Sequence, residues 1–332
     1  MTCSIILKGN GTSRTIKSKV IQSPLAGVTD KTFRKFVRRW APNSLLFTEM
    51  VNATSLKLGH GKEKITQIEK EEGPIGVQIF DNRPNAVAEA AILSEEAGAF
   101  LIDINMGCPV KKIARKGCGS ALLKDPELAV KIVNSISKVV KIPITVKTRI
   151  GWSKDQNNID DFVLRLQDAG ASMITLHGRT REQGFSGKAN WKVIKKLKEK
   201  LEIPVIANGD IFNEQDAIKC LKETNADGIM IGRGVLGSPW IIGRINSAIE
   251  GLTDFKEPSL EERLTLIIEH IEELTKEKGA HGLLIARKHI SWSCKDFPNA
   301  KNLRHELVRV KTSDEAKYLL QKQISLIRNY DC

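Results

Sequence analysis

The chain has six cysteines, Cys3, Cys108, Cys118, Cys220, Cys294 and Cys332, and no two of them stand in a CxxC pair. No Cys/His cluster has zinc-finger spacing, so no metal site is assigned. Few thiols in so long a chain also argue against a disulfide framework and for a reducing, cytoplasmic setting. Long apolar runs are missing too. The opening MTCSIILKGNGTSR carries an apolar stretch too short for a signal peptide, and nothing approaches the length of a membrane span. No separate dinucleotide fingerprint is present. Acidic residues are outnumbered, with 39 Asp plus Glu against 52 Lys plus Arg, a net charge of +13. That surplus favours solubility and biases the chain toward polyanions without proving nucleic-acid binding. With 41% apolar residues in 332, there is material for one large domain and a small one.

What is present has a rhythm. After a lead-in over 1–19, irregular or hairpin-like with a turn at Gly9-Asn10-Gly11, β-prone apolar runs fall at 20–26, 45–49, 75–80, 100–105, 143–148, 172–177, 203–207 and 227–231. Helical stretches fit between them at 30–40, 84–98, 125–140, 158–170, 190–200 and 213–224. Asp30 is a candidate cap, Asp125-Pro126 opens a helix with Pro in its first turn, and Gly98 and Gly170 close two others. Strands apolar almost throughout, nearly all separated by helices, predict parallel strands covered on both faces. Eight such units fit the length of a (β/α)₈ TIM barrel, with a doubly wound open sheet as the rival. Polar or Gly residues at nearly every strand's C-terminal end favour the barrel, whose active sites lie on that face. Past a linker at 251–258, segments 259–278, 281–295, 300–310 and 313–328 all read as helices, the first with Ser259 and Glu262 at capping-box spacing. The division expected is a barrel over 1–250 and a small all-helical domain over 255–332.

The sharpest stretch is LIDINMGCPVKKIARKGCGSAL at 101–122. A strand, apolar apart from Asp103, ends at Asn105-Met106-Gly107-Cys108-Pro109. That ending presents Cys108 just past the strand tip, below the cations Lys111, Lys112, Arg115 and Lys116. The plainer reading is a buried cysteine in a turn, because free Cys often behaves as a small hydrophobe. The runs IPVIANGDI and ADGIMIGRGVLGSPW each end in a Gly-containing loop before a helix, the arrangement that lets backbone N–H groups meet a phosphate. Arg233 is placed to pair with its charge. Gln78, Lys147 and His177, all at strand tips, favour a flavin mononucleotide over a sugar phosphate. Lys147 is suited to an anionic reduced flavin.

The chain resembles the tRNA-dihydrouridine synthase family, its bacterial B-type members in particular. The blocks that carry the resemblance are SPLAGVTD at 23–30, FTEM at 47–50, VQIF at 77–80, DINMGCPVKKI at 103–113, VKTRIGW at 146–152, LHGRTREQGFSG at 176–187, IANGDI at 206–211 and IGRGVLGSPW at 231–240. They stand in family order along nearly the whole chain. The resemblance implies a flavin mononucleotide (FMN) barrel that reduces uridine in tRNA with NADPH or NADH, and a C-terminal helical domain that helps hold the RNA. It implies that Pro24, Leu25 and Ala26 lie beside the flavin, that Gln78 and Lys147 bond its ring, and that His177 is close to it. Asn208, Gly209, Asp210, Gly232 and Arg233 would hold the phosphate end. Cys108 would be the proton donor, with Asn105 orienting the uracil and Arg149 nearby. Lys111 and the helical-domain cations, Arg287 and Lys288 among them, are candidate phosphate contacts. Leu25 stands where the family often has Met, and Ser293 stands for Tyr in RKHISWSCK at 287–295. A membrane or metal partner is not expected, and the chain is expected to act as a monomer. Two other readings are a flavin-dependent dehydrogenase of free pyrimidines or dihydroorotate-like acids, and an RNA-binding protein without catalysis. The intact Cys108, Lys147 and phosphate loops speak against the second, and the basic loop and tail against the first.

Overall fold

Uninterrupted apolar runs such as Ile75–Phe80 and Leu101–Met106 can be stable only as strands covered on both faces, and both are buried along almost their whole length. The computed structural model describes residues 4–330 except 66, 67, 69–72, 156 and 157, so Cys3 and Cys332 lie outside the described residues. The strands are β1 (Ile5–Lys8), β2 (Ser13–Ile16), β3 (Val20–Gln22), β4 (Leu46–Phe47), β5 (Val51–Asn52), β6 (Ile75–Phe80), β7 (Leu101–Met106), β8 (Ile144–Arg149), β9 (Met173–His177), β10 (Val205–Asn208) and β11 (Gly228–Ile231). β1 and β2 form an antiparallel hairpin ahead of the main sheet. The main sheet runs β3-β11-β10-β9-β8-β7-β6-β4, all parallel, with β5 paired to β6. Its two ends meet: Gln22 N donates to Leu45 O at 3.0 Å, and Phe47 N donates to the Gln22 side-chain Oε1 at 3.1 Å. The result is a nearly closed eight-stranded barrel. The expected strands at 20–26 and 45–49 are shorter than the sequence suggested, because only their first residues pair.

The helices are α1 (Lys31–Arg38), α2 (Ala53–Lys57), α3 (Pro84–Glu96), α4 (Lys111–Ala114), α5 (Pro126–Ser137), α6 (Ile159–Asp168), α7 (Trp191–Lys198), α8 (Glu214–Thr224), α9 (Ile241–Glu250), α10 (Leu260–Lys278), α11 (Ala280–Ser293), α12 (Ala300–Leu307) and α13 (Ser313–Tyr330). Local chemistry starts and stops them as expected. Asp30 accepts from Phe33 N and Asp125 from Leu128 N. Ser259 and Glu262 complete a reciprocal capping box. α10–α13 enclose their own apolar cluster, with Leu264, Leu274, Ile290, Leu307 and Leu320 at its centre. Three ion pairs tie α10 to the start of the barrel: Lys35–Glu273 at 2.7 Å, Arg39–Glu269 at 2.6 Å and Lys278–Asp30 at 2.7 Å.

Candidate active site

The carboxyl ends of the strands surround a cavity of about 270 Å³. Every residue assigned above to proton donation or to the flavin lines it, as do Asn105 and Arg149, whereas Lys111, Arg287 and Lys288 do not. The parallel register brings them together. β7, β8 and β9 set Asn105 beside Lys147 and Arg149 beside His177.

The floor is a chain of side-chain hydrogen bonds. Thr145 Oγ1 donates to Asp103 Oδ1 at 2.6 Å, and Gln78 Nε2 donates to Asp103 Oδ2 at 2.6 Å. Asn105 Nδ2 donates to Gln78 Oε1 at 2.8 Å. Asn105 Oδ1 in turn accepts from Cys108 N at 2.9 Å and Gly107 N at 3.2 Å, which fixes the turn bearing the thiol. Asp103 is fully buried, and burial raises its carboxyl to about 7 against the pull of Gln78, Thr145 and Lys147. Cys108 is half-buried; burial pushes its thiol above the ordinary value, while Arg149 and Lys147 draw it back. At neutral pH this thiol keeps its proton.

Lys147 Nζ donates to Asn208 Oδ1 at 2.9 Å, and Asn208 Nδ2 donates to Met230 O at 2.8 Å. Burial lowers Lys147 to about 8, and Arg149 adds to the shift. Arg149 is largely occupied by the protein. Its Nε donates to Gly107 O at 2.7 Å and its Nη1 to Thr180 O and Gly184 O at 2.9 and 2.8 Å, so it clips the cysteine turn to the loop after β9. Burial pulls His177 down to about 2, reinforced by four surrounding cations, and the ring is neutral. Gly209 packs against that ring at a φ of +115°, and a Cβ there would sit 2.8 Å from His177 Cδ2, so only glycine fits.

At the far end, among the described residues, the backbone N–H groups of Gly209, Asp210, Gly232 and Arg233 have no protein partner. A Cβ added to Gly232 would meet nothing nearer than Asn208 Nδ2 at 4.0 Å, which leaves an open cradle beside these donors. The Asp210 carboxylate is engaged elsewhere: Arg179 pairs with it at 2.7 Å and Ala189 N donates to it at 2.7 Å. Arg233 stands 3.8 Å from Asp210 and stacks over Phe185 and Phe212, its guanidinium 4.7 and 5.6 Å from the ring centroids.

The residues outside the cavity divide. Lys111 is exposed on α4, next to Val110 of the cavity lining. Arg287 turns into the helical cluster, where Nη2 donates to Val310 O at 3.3 Å. Lys288 reaches the barrel, since a Cβ on Gly27 would lie 2.8 Å from its Nζ. Reading from sequence missed Met50 and Phe185 in the lining, the buried partner Arg179, and the part played by Asp103. Asp103 did leave a signal, as the one charged residue inside an otherwise uncharged strand.

Comparison with known proteins gives the family and the barrel fold. The dihydrouridine synthase (Dus) family model matches residues 21–329. The chain is 50% identical over 313 residues to "Probable tRNA-dihydrouridine synthase 1" of Synechocystis sp., an alignment covering 94% of this chain and 88% of that protein. It is 42% identical over 279 residues to tRNA-dihydrouridine synthase B of Pasteurella multocida, covering 83% and 84%. Among solved structures, morphinone reductase in complex with tetrahydroNAD superposes with a TM-score of 0.53 at 11% identity, over 77% of this chain and 94% of that one, a likeness of barrel fold alone. A match over nearly the whole chain, together with two relatives above 40% identity, establishes that this chain belongs to the dihydrouridine synthase family.

Proposed function

We propose that this protein reduces the 5,6 double bond of uridine in tRNA to give 5,6-dihydrouridine, with bound FMN and with NADPH or NADH as reductant. The observation that carries the reading is the Cys108 thiol, protonated and pinned by Asn105, facing a cavity whose other end offers four unpartnered N–H groups. The donor set suits a flavin mononucleotide. Gly209, Asp210 and Gly232 would receive the phosphate through their backbones, and Arg233 through its guanidinium. Asp210 would not use its side chain, which Arg179 neutralises. Pro24, Leu25 and Ala26 would pack against the ring system, with Gln78, Lys147 and the neutral His177 around its edge. When bound, the flavin supplies the hydride.

The protein's own residues do the rest. Charge building on the uracil would be met by the cations and N–H donors that line the cavity. Asn105 directs the base, and Arg149 holds the cysteine turn and the 180–184 loop together. Cys108 keeps a proton on Sγ and delivers it to carbon 5, as a general acid does. A base in folded tRNA must leave its stack to reach this depth, so the RNA must be held outside the barrel. The exposed Lys111, Lys112, Arg115 and Lys116, and Lys288 beside Gly27, suit phosphate contacts. The reading covers a barrel that binds FMN over 1–250 and a helical region over 255–332 that holds tRNA. It also covers a cytoplasmic monomer. No helix among the described residues is long and apolar enough to cross a membrane.

The test is purification followed by incubation with unmodified tRNA and NADPH. Yellow protein that forms dihydrouridine in tRNA but not from free uridine is expected. Colourless protein that takes up no added FMN, or turnover of free pyrimidine or dihydroorotate in preference to tRNA, overturns the reading.

A further inference from the structure

The polar chain on the cavity floor has a direction that can be read from one end. Backbone N–H groups can only donate. Gly107 N and Cys108 N both point at one Asn105 atom, so that atom is Oδ1 and the other is Nδ2. Nδ2 lies 2.8 Å from Gln78, which must therefore present Oε1 there and turn Nε2 to its other side. On that side stands Asp103 Oδ2 at 2.6 Å, an acceptor as required. At the far end Thr145 brings a hydroxyl, the one group in the series able to donate or accept. Gln78 is 1% exposed and Asp103 fully buried, so no solvent is at hand to repair a wrong choice.

We infer that Asp103 is a positioning residue that, together with the Gly107 and Cys108 N–H groups at the other end of the series, holds the polarity of the Gln78 and Asn105 side-chain amides. Asn105 then presents its carbonyl to the cysteine turn, and its NH₂ donates to Gln78 Oε1 and, more weakly, to Met50 Sδ at 3.8 Å, a soft acceptor that a ligand carbonyl can displace, so N–H rather than C=O is offered to the ligand. A site with that polarity accepts a base or ring carbonyl and disfavours an amino group in the same place, so the carboxylate acts on base selection without touching the base. Either protonation state of Asp103 serves. A proton on Oδ1 faces the Thr145 hydroxyl, which turns round and accepts it, while Oδ2 still accepts from Gln78. With an apolar residue at 103, Gln78 Nε2 is left buried without its acceptor, Gln78 keeps only the bond from Asn105, and the Asn105 side chain that pins the Cys108 turn is held less firmly.

The consequence for catalysis rests on the function proposed above, but the relay can be tested without turnover. The rate of Cys108 alkylation by iodoacetamide, followed by peptide mass mapping in the full-length protein, reads the turn directly. Asp103→Ala and Asn105→Ala should each speed it by about threefold or more, and the double variant should be no faster than the quicker single, the mark of residues acting in series. Asp103→Asn should behave as wild type, because its amide oxygen still accepts from Gln78 and its NH₂ finds the turned Thr145 hydroxyl. Effects that multiply in the double variant, an unchanged rate in Asp103→Ala, or an Asp103→Asn as fast as the alanine variant overturns the inference. If Asp103→Ala does not fold, Gln78→Leu cuts the chain one link later and must show the same non-additivity with Asn105→Ala. Wild type that forms no dihydrouridine while the cycle still couples sinks the function and spares the relay. Dihydrouridine formation with a multiplying cycle does the reverse.

Discussion

The barrel and the helical region bury different things. Beneath its aliphatic layers the barrel buries Gln22, Gln78, Asp103, Asn105, Thr145, Arg149, His177, Arg179 and Asn208. The cluster of α10–α13 is almost wholly aliphatic, with His289 and Gln323 the buried polar residues among those described. A buried polar group costs stability unless it is hydrogen-bonded, so the barrel carries an expense that only a site explains. Most of the helical region's cations lie outside, where single ion pairs contribute little to folding but remain available to a polyanion. The two regions therefore call for different probes: chemistry in one, salt dependence and stability in the other.

The largest effect should come from the barrel. Cys108→Ala should keep bound flavin and its reduction by NADPH while dihydrouridine formation in single turnover falls by about 10²–10⁴. Because burial holds the thiol above its ordinary 9.0, alkylation of wild-type Cys108 should climb with a midpoint above pH 9, and turnover should decline as that proton is lost. Equal activity in Cys108→Ala and wild type would reassign the acid. In the helical region, Leu320→Ala removes a fully buried side chain and should cost about 2–5 kcal/mol in urea unfolding of that region. Flavin absorbance should persist while it melts, and simultaneous loss of colour would erase the distinction between the two. Arg233→Ala removes a charged donor from the phosphate end and should weaken FMN binding by about ten- to a hundredfold, with riboflavin binding nearly unchanged. Equal losses for both flavins would detach Arg233 from the phosphate. The smallest effect separates two neighbours. Lys288→Ala should lower the log–log salt slope of tRNA binding by about one. Arg287→Ala, whose guanidinium faces Val310 O, should reduce stability and leave that slope alone.

Much of the barrel was legible because its signals are local. Strands such as Ile75–Phe80 declare themselves by apolar runs, and α5 and α10 by the caps that open them. Val51–Asn52 and Ala53–Lys57 were not legible. A strand of two residues exists only through its pairing with β6 and has no pattern of its own. The site divides in the same way. Cys108, Lys147 and the glycine loops stand at strand ends, where position alone is informative. The Arg179–Asp210 pair joins residues 31 apart, and Gln78–Asp103 joins residues 25 apart. No periodicity encodes such partners. Arg287 and Lys288, adjacent and alike in charge, point to opposite destinations because α11 has one face in the helical cluster and the other toward the barrel rim.

The join between β3 and β4 differs from every other junction in the ring. Where other neighbours share a ladder, these two are fastened by one backbone bond and by a borrowed amide from Gln22, whose NH₂ also donates to Ser23 O. It works as a clasp on a hoop. The next residues, Pro24 to Ala26, line the cavity. Any breathing of the hoop is expected at this join, beside the Pro24–Ala26 wall and away from the strands that carry Asn105, Lys147 and His177. The Phe47 amide, held by a side chain alone, should be the barrel amide whose hydrogen exchange slows most when FMN is added, with amides in β7 and β8 already slow before it arrives.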